Sequence, residues 1–301
     1  MQVCLHVGVH KTGSSLIQLN LSKNLNVLRQ QRVFYVNEEL PGAIARQRQV
    51  LRKLQLPGRA RPTREALTGV NRKILEAAQA NDADIILISE ENRIGFPLHT
   101  QMARVGAPAK FYPLASECLR LVLFGLEHLQ TTLLVYQRSF DQLLPSLYAE
   151  GLRNLILTDT LDGFCRKIDF ASLDYAALLH RIQVGAPHAK VINREFETVR
   201  DGVEEFLSGF CNDLGIDATA CAFETRMVRE GVDVHGAAQL LALAERRASE
   251  GMSKQINMAR RKILAQSIDP SARMVLPDWA TELLSEMDRS ERHIADQREK
   301  N

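Results

Sequence analysis

Three clusters of side chains along this chain have the types and spacing to handle phosphate-like anions. The first is Gly8-Val9-His10-Lys11-Thr12-Gly13-Ser14-Ser15, a lysine, two glycines and three hydroxyls between an apolar run and a helical pattern. Backbone N–H groups at a helix start have no acceptor of their own. The helix dipole adds positive potential there, and glycine lets the main chain close around an oxyanion. The nucleoside-triphosphate loop reads G-x-x-x-x-G-K-[ST], with its lysine after the second glycine. Gly8 and Gly13 keep the glycine spacing, but Ser14 stands where that lysine belongs and Lys11 precedes Gly13. The loop is therefore suited to an oxyanion, in an arrangement a triphosphatase does not use.

The second cluster is Arg138 with Ser146, eight residues on. An arginine at a strand end and a hydroxyl two helical turns later can share one phosphate, because a guanidinium presents a fork of donors. Two anion sites on one sheet edge imply a ligand phosphorylated at two places. The third cluster is Ser89-Glu90-Glu91-Asn92-Arg93, where carboxylates follow an apolar run and can accept a proton.

These clusters need a scaffold that brings strand ends together. Short apolar runs rich in valine and isoleucine predict strands over 2–7, 32–36, 84–89, 131–137 and 189–193. Helical patterns cover 14–30, 64–81, 116–129, 140–151, 172–183 and 198–214. Strands alternating with helices predict an α/β fold, a central parallel sheet flanked by helices as in P-loop nucleotide-binding proteins. Ligands of such sheets bind beyond the carboxyl ends of the strands. After about residue 225 the strands stop, and 234–249 and 277–297 read as charged helices. The expected division is a nucleotide-binding core over 1–225 and a helical C-terminal extension over 226–301.

The chain has 301 residues, 45% hydrophobic, enough for one large domain or a core with an appendage. Its net charge of +2 gives no ground for a nucleic-acid partner. No apolar stretch approaches the length of a membrane span, and the first apolar run lacks a basic leader, so the expected location is cytoplasmic. The five cysteines are scattered with no C-x-x-C pair, which suits reduced, mostly buried thiols rather than zinc. Nine cations lie between Arg46 and Lys73, interrupted only by Glu65. Such a run is usually a solvated helix face and loop, but it can also attract an anionic acceptor or a membrane surface.

At this point the sequence resembles a known family. His10-Lys11-Thr12-Gly13-Ser14-Ser15 is similar to the 5′-phosphosulfate loop of sulfotransferases that use 3′-phosphoadenosine 5′-phosphosulfate. Arg138 and Ser146, with Tyr148 two residues further, resemble that family's 3′-phosphate site. Ala189-Lys190-Val191-Ile192, followed by Phe206-Leu207 and Leu214-Gly215-Ile216, resembles a later segment of bacterial members, so the resemblance covers roughly residues 2–216. Arg229-Glu230-Gly231 is a faint echo of the arginine-lysine-glycine segment of cytosolic members.

The resemblance implies a sulfotransferase that moves a sulfonate group from phosphoadenosine phosphosulfate to a hydroxyl or amine and releases 3′,5′-bisphosphoadenosine, with no metal required. It implies Lys11 at the leaving oxygen, and His10, Lys11, Thr12, Gly13, Ser14 and Ser15 around the 5′-phosphate. Arg138 and Ser146 would hold the 3′-phosphate. Glu90 is the first choice for the base and Glu91 the second, with His10 and His99 as further candidates. The implied partner is the acceptor, a glycan or a small metabolite. A peripheral membrane contact is compatible with the basic run.

Two rivals stand beside this reading. One is an ATP- or GTP-dependent kinase of related fold, with Glu90 as a magnesium carboxylate. The other is a non-catalytic nucleotide-binding protein that keeps the fold. Structural alternatives also exist for single residues. Arg138 can pair with Asp141, Glu90 can cap a helix, and Asn92, Arg93 and Arg194 can be scaffold residues. His6 alternates within the first strand as a core histidine would.

Overall fold

The computed structural model describes residues 1–225, 231–266, 269 and 271–299. The chain opens with β1 (Gln2–His6), α1 (Ser14–Lys23), α2 (Leu25–Gln30), β2 (Val33–Tyr35), α3 (Val36–Glu39), α4 (Pro41–Gln55), α5 (Thr68–Ala80) and β3 (Ile85–Ser89). Then come α6 (Leu98–Arg104), α7 (Ala115–Leu123), β4 (Gln130–Gln137), α8 (Phe140–Arg153), α9 (Leu161–Arg166), α10 (Tyr175–Gly185), β5 (Lys190–Glu195) and α11 (Val203–Asp213). The last helices are α12 (Val234–Glu250), α13 (Lys254–Leu264) and α14 (Asp278–Glu299).

The five strands form one parallel sheet in the order β2-β3-β1-β4-β5. The α/β class and the central parallel sheet are as expected. All five strands fall where the apolar runs place them; the inner ones read as continuous hydrophobicity because they are covered on both faces, whereas the edge strand β5 is largely exposed. β3 is buried at every position. β1 lies between β3 and β4, so the chain leaves it toward one side of the sheet and returns to the other. A crevice at such a reversal point is where open α/β sheets hold ligands.

The helices differ in detail from their sequence patterns. The predicted helix over 14–30 breaks at Asn24, whose amide donates to the Asn20 and Ala222 carbonyls at 2.9 Å each and accepts from the Ala222 N–H at 2.8 Å. An asparagine that serves neighbouring backbone in this way competes with the helix ladder. The pattern over 116–129 stops at Leu123, two residues before Gly125 at φ +84°. Helices α3, α4, α6, α9 and α13 were not anticipated. In α4 a buried stripe of Ile44, Gln47, Val50, Leu51 and Leu54 recurs at helical spacing beneath an arginine-rich face.

The molecule divides into two compact units. The first comprises residues 1–97, 110–138 and 171–229 and contains the whole sheet. Its core on one side of the sheet joins Ile17, Leu21 and Leu28 to Phe206, Leu207 and Phe210. The second comprises 98–109, 139–170 and 230–301. Within it the C-terminal helices fasten to the end of α8. Arg153 Nη2 donates to the Gly231 carbonyl at 2.8 Å, Arg247 Nη1 to the carbonyls of Asn154 and Leu155, and Arg260 to the carbonyl of Arg153. Trp279 Nε1 donates to Asp162 in α9 at 2.7 Å. Among the described residues no helix is long and apolar enough to cross a membrane.

Candidate functional site

The ends of β3, β1 and β4 lie side by side. The N–H of Glu90 donates to the His6 carbonyl at 2.9 Å, and the N–H of Val7 to the Leu134 carbonyl at 3.1 Å. Residues 8–15, 90–93 and Arg138 therefore emerge from three neighbouring strands on one edge.

The loop after β1 is closed by side chains. The Thr12 hydroxyl donates to the Val9 carbonyl at 2.5 Å, so its proton is used inside the loop. Lys11 is held at φ +73°, a region that L-residues with a Cβ enter at a cost. Gly13 caps α1 at φ +80°, and a Cβ there would stand 2.8 Å from Cε2 of Phe196. Glycine meets both the backbone and the space requirement. The N–H groups of Gly13, Ser14 and Ser15 begin α1 and have no intrahelical acceptor. Ser14 Oγ is buried and has no hydrogen-bond partner among the described residues. A buried hydroxyl without a partner is costly. An oxyanion seated on the α1 N-terminus would give it one, so the donor set fits a phosphate group.

Arg138 joins this loop. Its Nη1 donates to the Lys11 carbonyl at 2.9 Å, and its guanidinium lies 5.4 Å from the centre of the Phe196 ring. Its backbone is pinned by Tyr175 Oη, which accepts from the Arg138 N–H at 3.0 Å and donates to the Arg138 carbonyl at 2.7 Å. The arginine expected to form a separate anion site is thus in direct contact with the first. Ser146 lies in α8, in the second unit, and is half-buried.

The Glu90 carboxylate is almost entirely buried, at 1% exposure. Oε2 accepts from Arg48 Nε at 2.6 Å and also from Arg48 Nη2. Oε1 accepts from the Asn92 amide at 2.6 Å and, at 3.4 Å, from the Asn92 N–H, so the side chain caps the 3-10 turn Glu91–Ile94. Burial raises its pKa, but the Arg93 charge, the Asn92 bond and Arg48 together outweigh that and hold it below the usual carboxylate range. Glu91 is half-buried and accepts from Gln18 Nε2 at 3.3 Å.

Asn92 carries the network on to His10. Its Oδ1 is 3.3 Å from His10 Nε2, and His10 Nδ1 is 2.7 Å from Tyr112 Oη. Tyr112 Oη also accepts from the His10 N–H at 3.0 Å. The direction of this chain follows from its ionised end. A carboxylate only accepts, so Asn92 must turn its NH2 to Glu90 and its oxygen to His10. His10 then carries its proton on Nε2, and Nδ1 accepts the Tyr112 hydroxyl. Enclosure of the ring pushes the His10 pKa down, which opposes a second proton, although Glu91 and Asn92 favour one. Tyr112 sits at φ +45° in a tight turn, 102 residues from His10. No local pattern marks such a partner.

Arg93 follows directly. It is fully buried, and none of its guanidinium nitrogens has a hydrogen-bond partner among the described residues. Burial pushes its pKa down to about 10, against the favourable charge of Glu90. Arg194 is held by Asp213 through two bonds of 2.9 and 2.7 Å and is a scaffold residue. His6 is buried with Nδ1 2.8 Å from Ser89 Oγ. His99 belongs to α6 in the second unit. Arg229 and Glu230 lie outside the described residues. Cys4, Cys118, Cys165 and Cys211 are buried, and desolvation pushes each thiol up to about 12.

No protein-family model matches this chain, and no curated protein matches it. Among solved structures it is similar to a sulfotransferase from Alicyclobacillus acidocaldarius, at 13% identity and a TM-score of 0.40, over 89% of this chain and 97% of that one. A likeness of this degree carries no inference about residues or reaction.

Proposed function

We propose that the protein is a sulfotransferase that takes its sulfonate from 3′-phosphoadenosine 5′-phosphosulfate. The observation that carries this is the site's one-sided donor set. Lys11, the α1 N-terminus with the unpartnered Ser14 hydroxyl, and Arg138 converge on one loop, while the position after Gly13 holds no lysine. The N–H groups of Thr12 through Ser15 and the hydroxyls of Ser14 and Ser15 would hold the 5′-phosphate, and Arg138 the 3′-phosphate. The donor supplies an activated sulfur. The acceptor oxygen forms a bond to it, the bond from sulfur to the bridging oxygen breaks, and bisphosphoadenosine leaves with the negative charge. Lys11 is assigned to that charge. A fixed cation at a leaving oxygen in a dry site contributes several kcal/mol.

The acceptor's proton goes to Glu90, with Glu91 as the second carboxylate. The depressed pKa keeps Glu90 ionised at neutral pH, the state a base requires. Its bonds to Arg48 and Asn92 must loosen as the proton arrives. Glu90 is therefore a stronger base whenever Arg48 is drawn away.

Calorimetry with bisphosphoadenosine and with magnesium-ATP tests the reading, on the native chain and on Lys11→Ala and Arg138→Ala. Bisphosphoadenosine should bind, and Arg138→Ala should abolish or greatly weaken the binding. Tighter binding of magnesium-ATP, with hydrolysis, would favour the kinase. Bisphosphoadenosine binding without turnover on any acceptor would favour the non-catalytic protein.

A further inference from the structure

The positive charge of this protein is concentrated in one segment. Residues 41–64 hold seven cations and no acid. The chain has 38 Lys and Arg against 36 Asp and Glu, so the other 277 residues hold 31 cations and 36 acids, a net of −5. A basic segment on an otherwise acidic molecule is a local feature rather than a consequence of composition.

The fold displays this segment outward. α4 buries its apolar stripe and exposes Arg46, Gln49, Arg52 and Lys53 on the opposite side. Arg59 and Arg61, beyond its end, are exposed too. None of Arg46, Arg52, Lys53, Arg59 and Arg61 has an ion-pair partner among the described residues. Unpaired cations grouped this closely repel one another and raise the local positive potential.

One cation of the segment is different. Arg48, one turn before Arg52, reaches into the site and holds the buried Glu90 carboxylate with Nε and Nη2. Its side chain is still 54% exposed. The basic face therefore ends on the carboxylate assigned as the base. Anything docked along α4 has its near end at the chemistry.

The makeup of the face narrows the partner. Its exposed side chains include no aromatic ring on which bases could stack and no large apolar group that would enter a bilayer. A 15-residue helix is about 22 Å long, enough to meet several anionic groups at once rather than one. We infer that the exposed face of α4 seats an acidic polysaccharide, and that this polymer is the acceptor of the reaction proposed above. Its carboxylates pair with Arg52 and Lys53, and a hydroxyl further along the chain reaches Glu90. A carboxylate that also competes for Arg48 draws it from Glu90 and strengthens the base.

This inference rests on the sulfotransferase reading, and the test separates the two. The probe is a fluorescently labelled polyuronate, compared with uncharged dextran, a single-stranded oligodeoxynucleotide and phosphatidylserine vesicles. The proteins are the native chain and Arg52→Glu/Lys53→Glu, whose exposed positions leave the loop and Glu90 intact. Polyuronate should bind the native chain with an affinity that falls as salt rises, and dextran should not bind. The double variant should lose about tenfold or more in polyuronate affinity while binding bisphosphoadenosine as the native chain does. With labelled phosphosulfate donor, polyuronate should acquire sulfonate. Equal polyuronate binding by the two proteins overturns the docking face. Tighter binding of oligonucleotide or vesicles reassigns it to those partners. Polyuronate that binds but is never sulfonated overturns its role as acceptor. If bisphosphoadenosine fails to bind the native chain, the donor reading fails, and the polyuronate comparison still reports on α4.

Discussion

Arg138 Nη1 donates to the Lys11 carbonyl across 2.9 Å, and this bond links the end of β4 to the loop that leaves β1. It fixes the backbone of the residue assigned to the leaving oxygen. Arg138→Lys keeps the charge and loses the planar fork. Bisphosphoadenosine affinity should fall about tenfold or more by calorimetry, with little change in thermal stability. An unchanged affinity would mean that Arg138 is only a brace for the loop.

Gly13→Ala tests how tightly the loop is built. The position combines φ +80° with Phe196 Cε2 only 2.8 Å from the place of a Cβ. The substitution should cost about 2 kcal/mol and lower Tm by roughly 4 °C or more. Trimming the ring with Phe196→Leu should recover part of that loss, since it relieves the clash but not the backbone strain. A Gly13→Ala protein with native Tm would show that the loop yields easily.

His6 gives the fold a pH dependence. Burial lowers its pKa from 6.5 to about 4. Below pH 6.5 the unfolded chain takes up a proton that the folded ring refuses until about pH 4, so stability falls as pH drops through that window. The full effect is about 3 kcal/mol. Denaturant midpoints at pH 7.5 and 5 should differ in the native chain and differ much less in His6→Asn, whatever the variant's own baseline. Equal slopes in both would place the dependence elsewhere.

The chain from Glu90 through Asn92 and His10 to Tyr112 predicts a protonation state. Nitrogen NMR should show His10 with its proton on Nε2 and Nδ1 unprotonated at neutral pH. Asn92→Leu removes the group that sets this direction and should shift the ring toward a mixture of tautomers, with Tyr112 unchanged. The opposite tautomer in the native chain would overturn the directions assigned to the His10–Asn92 and His10–Tyr112 side-chain bonds.

Much of this architecture was legible because its strands are covered on both faces and its loops follow them directly. The run Ile85-Ile86-Leu87-Ile88 could hardly be anything but an inner strand, and the glutamates after it had to emerge on the ligand edge. The loop 8–15 was legible for the same reason. α4 was less so, because its arginines and glutamines dilute the stripe of Ile44, Val50, Leu51 and Leu54. The environment of Glu90 was not legible. Its charge is matched by Arg48, 42 residues earlier, and the His10 ring that its network reaches is held by Tyr112 in an irregular stretch. Contacts of that kind arise from tertiary placement and leave no periodicity in the chain.

The carbonyls of Arg153, Asn154 and Leu155 are served by arginines more than 90 positions later, in α12 and α13. The helix that carries Ser146 is therefore finished by the last quarter of the polypeptide. During synthesis these carbonyls stay with water until that quarter has been made, so α8 acquires its final support late. The residues after 230 supply three of the carbonyl bonds that finish this helix, and a chain shortened there would return those carbonyls to water.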